Sequence, residues 1–253
     1  GAEHHELRAE ADLAADLERL IATMGEPFAD SSLLPTYWLS RATREHVKVA
    51  LSGDGGDELF GGYDRYRAMR LLARHRWWIS RLPAGVFPGA DGKSFGSKLG
   101  RLVRAARPAT PGARYAEMVR LFSPRQIGRL GIHAGPASDE PPGWRDEDDE
   151  AEAARRWDLA HYLPFNLLRK VDRASMAVAL EVRCPLLDTQ VCDLAGHLPL
   201  RVLMPGGRAK GLLRQVAAEW LPRDIVRRKK MGFAVPIGAW FRGELHEMLR
   251  RRL

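Results

Sequence analysis

The segment from Val47 to Tyr63, VKVALSGDGGDELFGGY, constrains this chain more than any other. Its first five residues, VKVAL, are apolar and rich in β-branched side chains, the pattern of a buried strand. A glycine-rich turn, Gly53 to Gly56, follows at once. Glycine there lets backbone N–H groups approach an anion closely. In an open parallel sheet, ligands sit at the carboxyl ends of the strands, so Ser52, Gly53 and Asp54 take the ligand-facing position. Asp54, Asp57 and Glu58 place three carboxylates within five residues. Beside a phosphate site, such groups suit Mg2+, which is held by one or two carboxylates plus phosphate oxygens. For GDGG alone, the competing reading is a turn that merely ends a strand.

The rest of the chain reads as helical. Leu13, Leu17, Leu20, Ile21 and Met24 recur at helical spacing, with Asp16, Glu18 and Arg19 facing away, and Gly25 and Pro27 end that helix. A second helix starts at a Ser31 or Ser32 cap, has Pro35 near its first turn and runs to about His46. From Tyr63 to about Leu130, helical segments are broken by Pro83, Pro88, Pro108, Pro111 and Pro124, and Trp77 and Trp78 are assigned to the core. Residues 138–152 form an acidic, proline-containing surface loop, a candidate for local disorder. Helices resume near Ala153 and again from Phe165 to Ala179. From Arg208 to Leu221, a stripe of Ala209, Leu212, Leu213, Val216, Ala217 and Trp220 reads as core packing. One strand among so many helices cannot satisfy its own backbone groups. A buried strand of this kind belongs to a parallel sheet. Its neighbours are therefore expected outside this chain, which starts with Gly1 rather than Met and reads as a fragment incomplete at its N-terminus.

Composition narrows the function classes. With 253 residues, 45% hydrophobic and 28% charged, the chain can bury a sizeable core. No uncharged apolar stretch approaches the roughly 18–20 residues of a membrane helix, and no secretory leader is visible, so a membrane partner is not expected. Two cysteines exclude a disulfide scaffold or a four-cysteine zinc site. Cys184 and Cys192 read as small buried apolar residues, which fits the cytoplasm. The net charge is +8, and residues 201–253 hold 13 Lys or Arg against 4 Asp or Glu. Such a tail suits an anionic partner. A nucleic-acid module would interleave aromatic residues with the basic ones in a recognisable fold. Trp220 and Phe241 sit where helical packing explains them, so nucleic acid is not the expected partner.

Arg169, Asp172 and Arg173 stand at i, i+3 and i+4 and so share one helix face. Two arginines and an aspartate on one face can bind a carboxylate or stabilise a phosphate. The alternative is a surface ion pair worth about 0–1 kcal/mol. Glu181 and Arg183 follow as weaker candidates.

The string at Val47–Tyr63 closely resembles the signature of the synthetase domain of glutamine-hydrolysing asparagine synthetases. Residues 161–188, HYLPFNLLRKVDRASMAVALEVRCPLLD, resemble the family's second long block, and residues 227–240, RRKKMGFAVPIGAW, its C-terminal lysine block. The short strings at His4–Glu6 and Pro27–Asp30 also fit, although His4 and His5 read as packing near the strand or as solvated. The resemblance covers nearly the whole chain and is weakest from about Trp77 to Glu150. It implies an α/β synthetase domain over residues 1–253 with the fold of the adenine nucleotide alpha-hydrolases (ATP pyrophosphatases), seen here mostly through its helices, with few parallel strands. It implies ATP and Mg2+ as cofactors, aspartate or another carboxylate as substrate, and ammonia from a glutaminase domain. A homodimer is compatible with it. Matched by position, Ser52 and Gly53 contact ATP, and Asp54 serves formation of the acyl adenylate. Asp57 binds metal and pyrophosphate, and Lys230, reinforced by Lys229, Arg227 and Arg228, stabilises the pyrophosphate. Glu58, Arg169, Asp172, Arg173, Glu181 and Arg183 are further substrate or phosphate candidates.

Three departures matter. The family's phosphate loop, SGGxDS, occurs nowhere in the sequence, and neither does the N-terminal cysteine nucleophile of the glutaminase domain. The best-known asparagine synthetases carry Glu where Asp54 stands and Ser where Gly56 stands. The GDGGDE form is common in relatives tied to other amidations, such as those of cell-surface polysaccharides, which leaves the acceptor open. The expected activity is ATP-dependent amidation of aspartate through β-aspartyl-AMP. The alternatives are amidation of a sugar acid or peptide by the same chemistry, and a fragment that is inactive alone.

Overall fold

The computed structural model describes residues 3–7, 12–83, 94–131, 139–228, 232, 233 and 235–252. The chain opens with helices α1 (Leu13–Met24) and α2 (Leu33–Arg44), strand β1 (Val49–Leu51) and the single turn α3 (Gly56–Leu59). Helices α4 (Asp64–Ile79), α5 (Phe95–Ala105), α6 (Pro111–Val119), α7 (Pro124–Arg129) and α8 (Glu150–Trp157) follow. A π-helical stretch, Asp158–Leu168, leads into α9 (Arg169–Met176) and strand β2 (Glu181–Arg183). The remainder is α10 (Thr189–His197), α11 (Leu200–Leu203), α12 (Gly211–Ala217), α13 (Arg223–Arg227), α14 (Ile237–Arg242) and α15 (His246–Arg252). Among the described residues, no helix is long and apolar enough to cross a membrane.

These elements form two compact units. The first gathers residues 1–55, 161–192 and 220–253, and the second residues 56–160 and 193–219. In the first unit, Leu20 and Met24 of α1 pack with Leu33, Leu34, Tyr37 and Trp38 of α2 and Ala174 of α9. Fully burying one such side chain is worth about 1.5–3 kcal/mol. Gly25, in the left-handed region at φ 69°, ends α1 as its sequence signals. Asp16 does not face away as its charge suggests. It is buried, accepting from Trp38 Nε1 at 2.7 Å and Arg41 Nη1 at 3.1 Å.

Strand β1 has a partner in this chain. It pairs in parallel with β2, in the register Val49↔Glu181, Ala50↔Val182 and Leu51↔Arg183. The expectation that all its neighbours lie elsewhere is thus corrected, and so is its burial: Val49 and Leu51 are exposed. The physical reason is that a parallel strand becomes buried only when both faces are covered. Among the described residues, this sheet has two strands.

In the second unit, α4 packs on α8 and α5 on α6. The buried stripe of α4 is Tyr66, Met69 and Leu72. Trp77 and Trp78 lie beyond that stripe and are exposed, which corrects their assignment to the core. Arg81 stacks over the Trp77 ring at 3.4 Å. The stripe predicted from Arg208 to Leu221 is also corrected. Helix α12 ends at Ala217, and Val216 and Trp220 are exposed. The acidic loop packs instead of trailing: Trp144 stacks on Tyr115 at 5.4 Å, and Asp149 caps α8 and pairs with Arg70 at 2.9 Å. The helix predicted from Phe165 in fact runs on from the π-helical stretch, whose wide turns accommodate Pro164.

Candidate functional site

In the first unit, the turn after β1 holds Ser52, Gly53 and Asp54. The Ser52 amide extends the ladder by donating to the Arg183 carbonyl at 2.8 Å, so the carboxyl ends of both strands meet there. The Ser52 hydroxyl donates to Asp54 Oδ2 at 2.7 Å and lies 3.3 Å from Cys184 Sγ. Gly53 is exposed, with no atom within 4 Å of where a Cβ would stand, and its backbone is open to a ligand. Gly55 adopts φ +83°, and a Cβ there would lie 2.1 Å from Leu187 Cδ2, so the turn requires glycine at this point. Cys184 and Cys192 are half-buried instead of core residues. Burial and the neighbouring Asp188 raise the Cys192 thiol above its usual range. Cys184 stands beside a serine hydroxyl because it directly follows β2.

The second half of the signature belongs to the other unit. Asp57 Oδ1 pairs with Lys210 Nζ at 3.2 Å, both side chains being about three-quarters buried. The Gly62 amide donates to the Asp57 carbonyl at 2.7 Å, and the Lys210 amide to the Gly61 carbonyl at 3.3 Å. Glu58, one residue on, turns inward and accepts from the Tyr63 hydroxyl. At 1% exposure it meets no ligand from solvent, which corrects its candidacy as a substrate or phosphate contact. Burial raises its carboxyl above the usual range, the Tyr63 bond opposing this in part. Tyr63 carries the Arg65 guanidinium 3.9 Å above its ring. Arg65 in turn binds the buried Asp158 at 2.8 Å, which also accepts from Tyr66 at 2.6 Å and from Tyr115. Burial raises the Asp158 carboxyl, although the Arg65 charge and both tyrosine bonds pull the other way.

The remaining candidates are more dispersed. Arg169, Asp172 and Arg173 do share helix α9, but Arg169 pairs with Glu26 at 2.8 Å, and Asp172 and Arg173 are exposed. The buried cation of that helix is Lys170, which sequence reasoning passed over. It donates to Asp30 Oδ2 at 3.1 Å and to Ser32 Oγ at 2.7 Å. Burial alone would raise the Asp30 carboxyl; the Ser32 bonds and the Lys170 charge reverse this and hold it below the usual range. Glu181 and Arg183 pair with each other at 2.7 Å on exposed β2. His5 stacks on His46 at 5.9 Å, just before β1. Lys229 and Lys230 lie outside the described residues. Lys210 was also missed; its only sequence signal is a lone lysine among glycines, in the string GGRAKG.

Asp57 fits a metal role of limited kind. Among the described residues, no three His, Cys, Asp or Glu side chains gather as a metal cage. Mg2+ needs none, since one or two carboxylates suffice when phosphate oxygens complete the shell.

A family model described as asparagine synthase matches residues 1–253. The chain belongs to the asparagine synthase family. It is 31% identical over 252 residues to asparagine synthetase [glutamine-hydrolyzing] 1 of Bacillus subtilis, covering 93% of this chain and 38% of that protein. It is 33% identical over 267 residues to a putative asparagine synthetase [glutamine-hydrolyzing] of Mycobacterium tuberculosis, covering 98% and 39%. A more distant relative is amidase chyE of Penicillium rubens, 22% identical over 280 residues, covering 96% and 40%. The chain thus spans about two fifths of the length of these curated relatives. Membership accounts for the α/β character of the chain, with its small parallel sheet among helices.

Proposed function

We propose that this chain is the synthetase part of a ligase that amidates aspartate to asparagine at the expense of ATP. The observation that carries the reading is the turn at the carboxyl ends of β1 and β2 in the first unit, which presents the Ser52 hydroxyl, the open Gly53 backbone and Asp54. A carboxylate is a poor electrophile until one of its oxygens carries a good leaving group. In this reading, the aspartate side-chain oxygen attacks the α-phosphorus of ATP, and the bond to pyrophosphate breaks. Ammonia then attacks the acyl carbon of β-aspartyl-AMP, AMP departs, and the nitrogen loses a proton.

The chain's own groups have distinct tasks in this scheme. The open Gly53 backbone and the Ser52 hydroxyl seat the nucleotide, and Asp54 orients that hydroxyl through its 2.7 Å bond. Asp57 holds Mg2+, which supplies charge neutralisation for the departing pyrophosphate. Lys230 and Lys229 of the basic run add positive charge for the same purpose. The ammonia comes from glutamine, released by a glutaminase domain.

A second reading keeps the chemistry and changes the acceptor to another carboxylate, such as a sugar acid or peptide. It is favoured by Asp54 and Gly56 in the signature and by relatives named amidases. ATP–pyrophosphate exchange on the full-length protein, with and without aspartate, separates the two. Exchange that needs aspartate and vanishes in Asp57→Ala supports aspartyl adenylation. Exchange absent with aspartate but present with another carboxylic acid supports the second reading. Unaltered exchange in Asp57→Ala refutes the role given to that carboxylate.

A further inference from the structure

The buried carboxylate of Glu58 is left without a task by the scheme above. Helix α3 is a single turn of four residues, Gly56–Leu59, and so short a helix has no stability of its own. Its geometry must be imposed by contacts. Asp57 and Glu58 are neighbours on that turn, one about three-quarters buried against Lys210 and the other buried at 1% exposure. Burying a carboxylate is costly unless it is hydrogen-bonded, and an apolar side chain would fill the same place at less cost. The Tyr63 hydroxyl answers that cost.

Tyr63 is itself held fast. Arg65 lies 3.9 Å over its ring, Tyr66 meets it edge-on at 5.8 Å, and Arg65 is anchored on buried Asp158 at 2.8 Å. Between Glu58 and Tyr63 the chain folds back on itself, the Gly62 amide donating to the Asp57 carbonyl at 2.7 Å. A Cβ at Gly62 would stand 1.8 Å from Asp57 Oδ1 and 2.6 Å from Lys210 Cε. The returning backbone therefore forms a wall against which the Asp57 carboxylate rests.

We infer that the hydrogen bond from Tyr63 to Glu58 is the lock that fixes this fold-back, making Tyr63 and Glu58 positioning residues for the Asp57 carboxylate. The inference rests on the proposed role of Asp57 in holding metal and pyrophosphate. Neither residue touches the reactants. Each acts by keeping Asp57 against Lys210 in the orientation that the wall at Gly62 defines.

The test uses Tyr63→Phe, Glu58→Leu and Glu58→Gln in the full-length protein. Tyr63→Phe keeps the ring contacts and removes only the donor. Gln at position 58 still accepts from Tyr63, whereas Leu does not. The first readout is the acylation rate of the Lys210 amine by acetic anhydride, followed by mass spectrometry, which needs no catalysis. The second is the Mg2+ concentration for half-maximal pyrophosphate release. Tyr63→Phe and Glu58→Leu are expected to raise both by about three- to tenfold, the scale of one lost hydrogen bond, and Glu58→Gln to leave Lys210 labelling unchanged. Unaltered Lys210 labelling in Tyr63→Phe, or equal labelling in the Leu and Gln variants, overturns the inference. A wild-type protein that releases no pyrophosphate refutes the functional reading instead, and the labelling result still decides the positioning role.

Discussion

Gly62→Ala tests the link between the fold and the site most directly. The added Cβ would stand 1.8 Å from Asp57 Oδ1, whereas real Cβ atoms essentially never approach below 3.0 Å. The carboxylate oxygen must therefore retreat by at least about 1 Å. Lys210 cannot follow without cost, because its own Cε would lie 2.6 Å from the same methyl group. The 3.2 Å pair is then broken or re-aimed. Because the atoms that must move belong to side chains, the cost to stability falls at the low end of overpacking, about 1 kcal/mol. A misplacement of about 1 Å in a catalytic group costs on the order of a hundredfold in rate. The measurements are pyrophosphate release against Mg2+ concentration and urea unfolding, run beside Gly196→Ala. At Gly196, in helix α10, no atom outside its chain neighbours and the helix's own backbone lies within 4 Å of the added Cβ, so that variant controls for a bare glycine replacement and is expected to gain about 0.5–1 kcal/mol from helix propensity alone. Wild-type pyrophosphate release and wild-type stability in Gly62→Ala would refute the close packing of Gly62 on Asp57 and the reasoning built on it.

Two further predictions concern buried charge. Lys170→Met removes the cation that Asp30 and Ser32 share but keeps most of the side-chain volume. Breaking a buried pair costs about 3–5 kcal/mol, and since Asp30 retains bonds from Ser32 and Asn166, a loss of about 2–3 kcal/mol in urea unfolding is expected. A loss under about 0.5 kcal/mol would show that the pair contributes nothing net. For Glu58, burial raises the folded-state carboxyl above its ordinary value of 4.5, so the folded protein takes up this proton more readily than the unfolded chain. Its contribution to stability is full below that value and declines as pH rises through the folded-state range. Glu58→Gln should flatten the decline in unfolding free energy on that side; parallel wild-type and variant curves would count against it.

What the sequence disclosed and what it hid follow from the range of the interactions concerned. The strand, the glycine turn and the cap at Gly25 depend on residues within a few positions of one another, and they were legible. Strand β2, EVR, has three residues and charged ends, so no periodicity marks it; only pairing with Val49–Leu51 makes it a strand. Asp16 looked outward because a charged residue beside an apolar stripe usually is, yet Trp38 and Arg41, from the next helix, draw it in. On α9, the spacing of Arg169 and Arg173 suggested a functional face, while Lys170 points to Asp30 through contacts that no local pattern encodes. Lys210 escaped for the same reason, since Asp57 lies far away in the sequence.

The pairing of β1 with β2 also governs how the chain can reach this structure. Ser52 and Cys184, which flank the joined strands, are 132 positions apart. Closing a flexible loop of that length costs about 4 kcal/mol of chain entropy. Neither unit is continuous: the first needs three separate stretches, the last running to residue 253, and the second needs two. During synthesis, the helices around Tyr66 and Tyr115 emerge long before the last segment of the first unit. The strand ends that carry Ser52 and Asp54 are therefore expected to be assembled late, and slowly, as contacts distant in sequence are. Until then, the Val49–Leu51 edge stays unpaired and prone to associate with other chains.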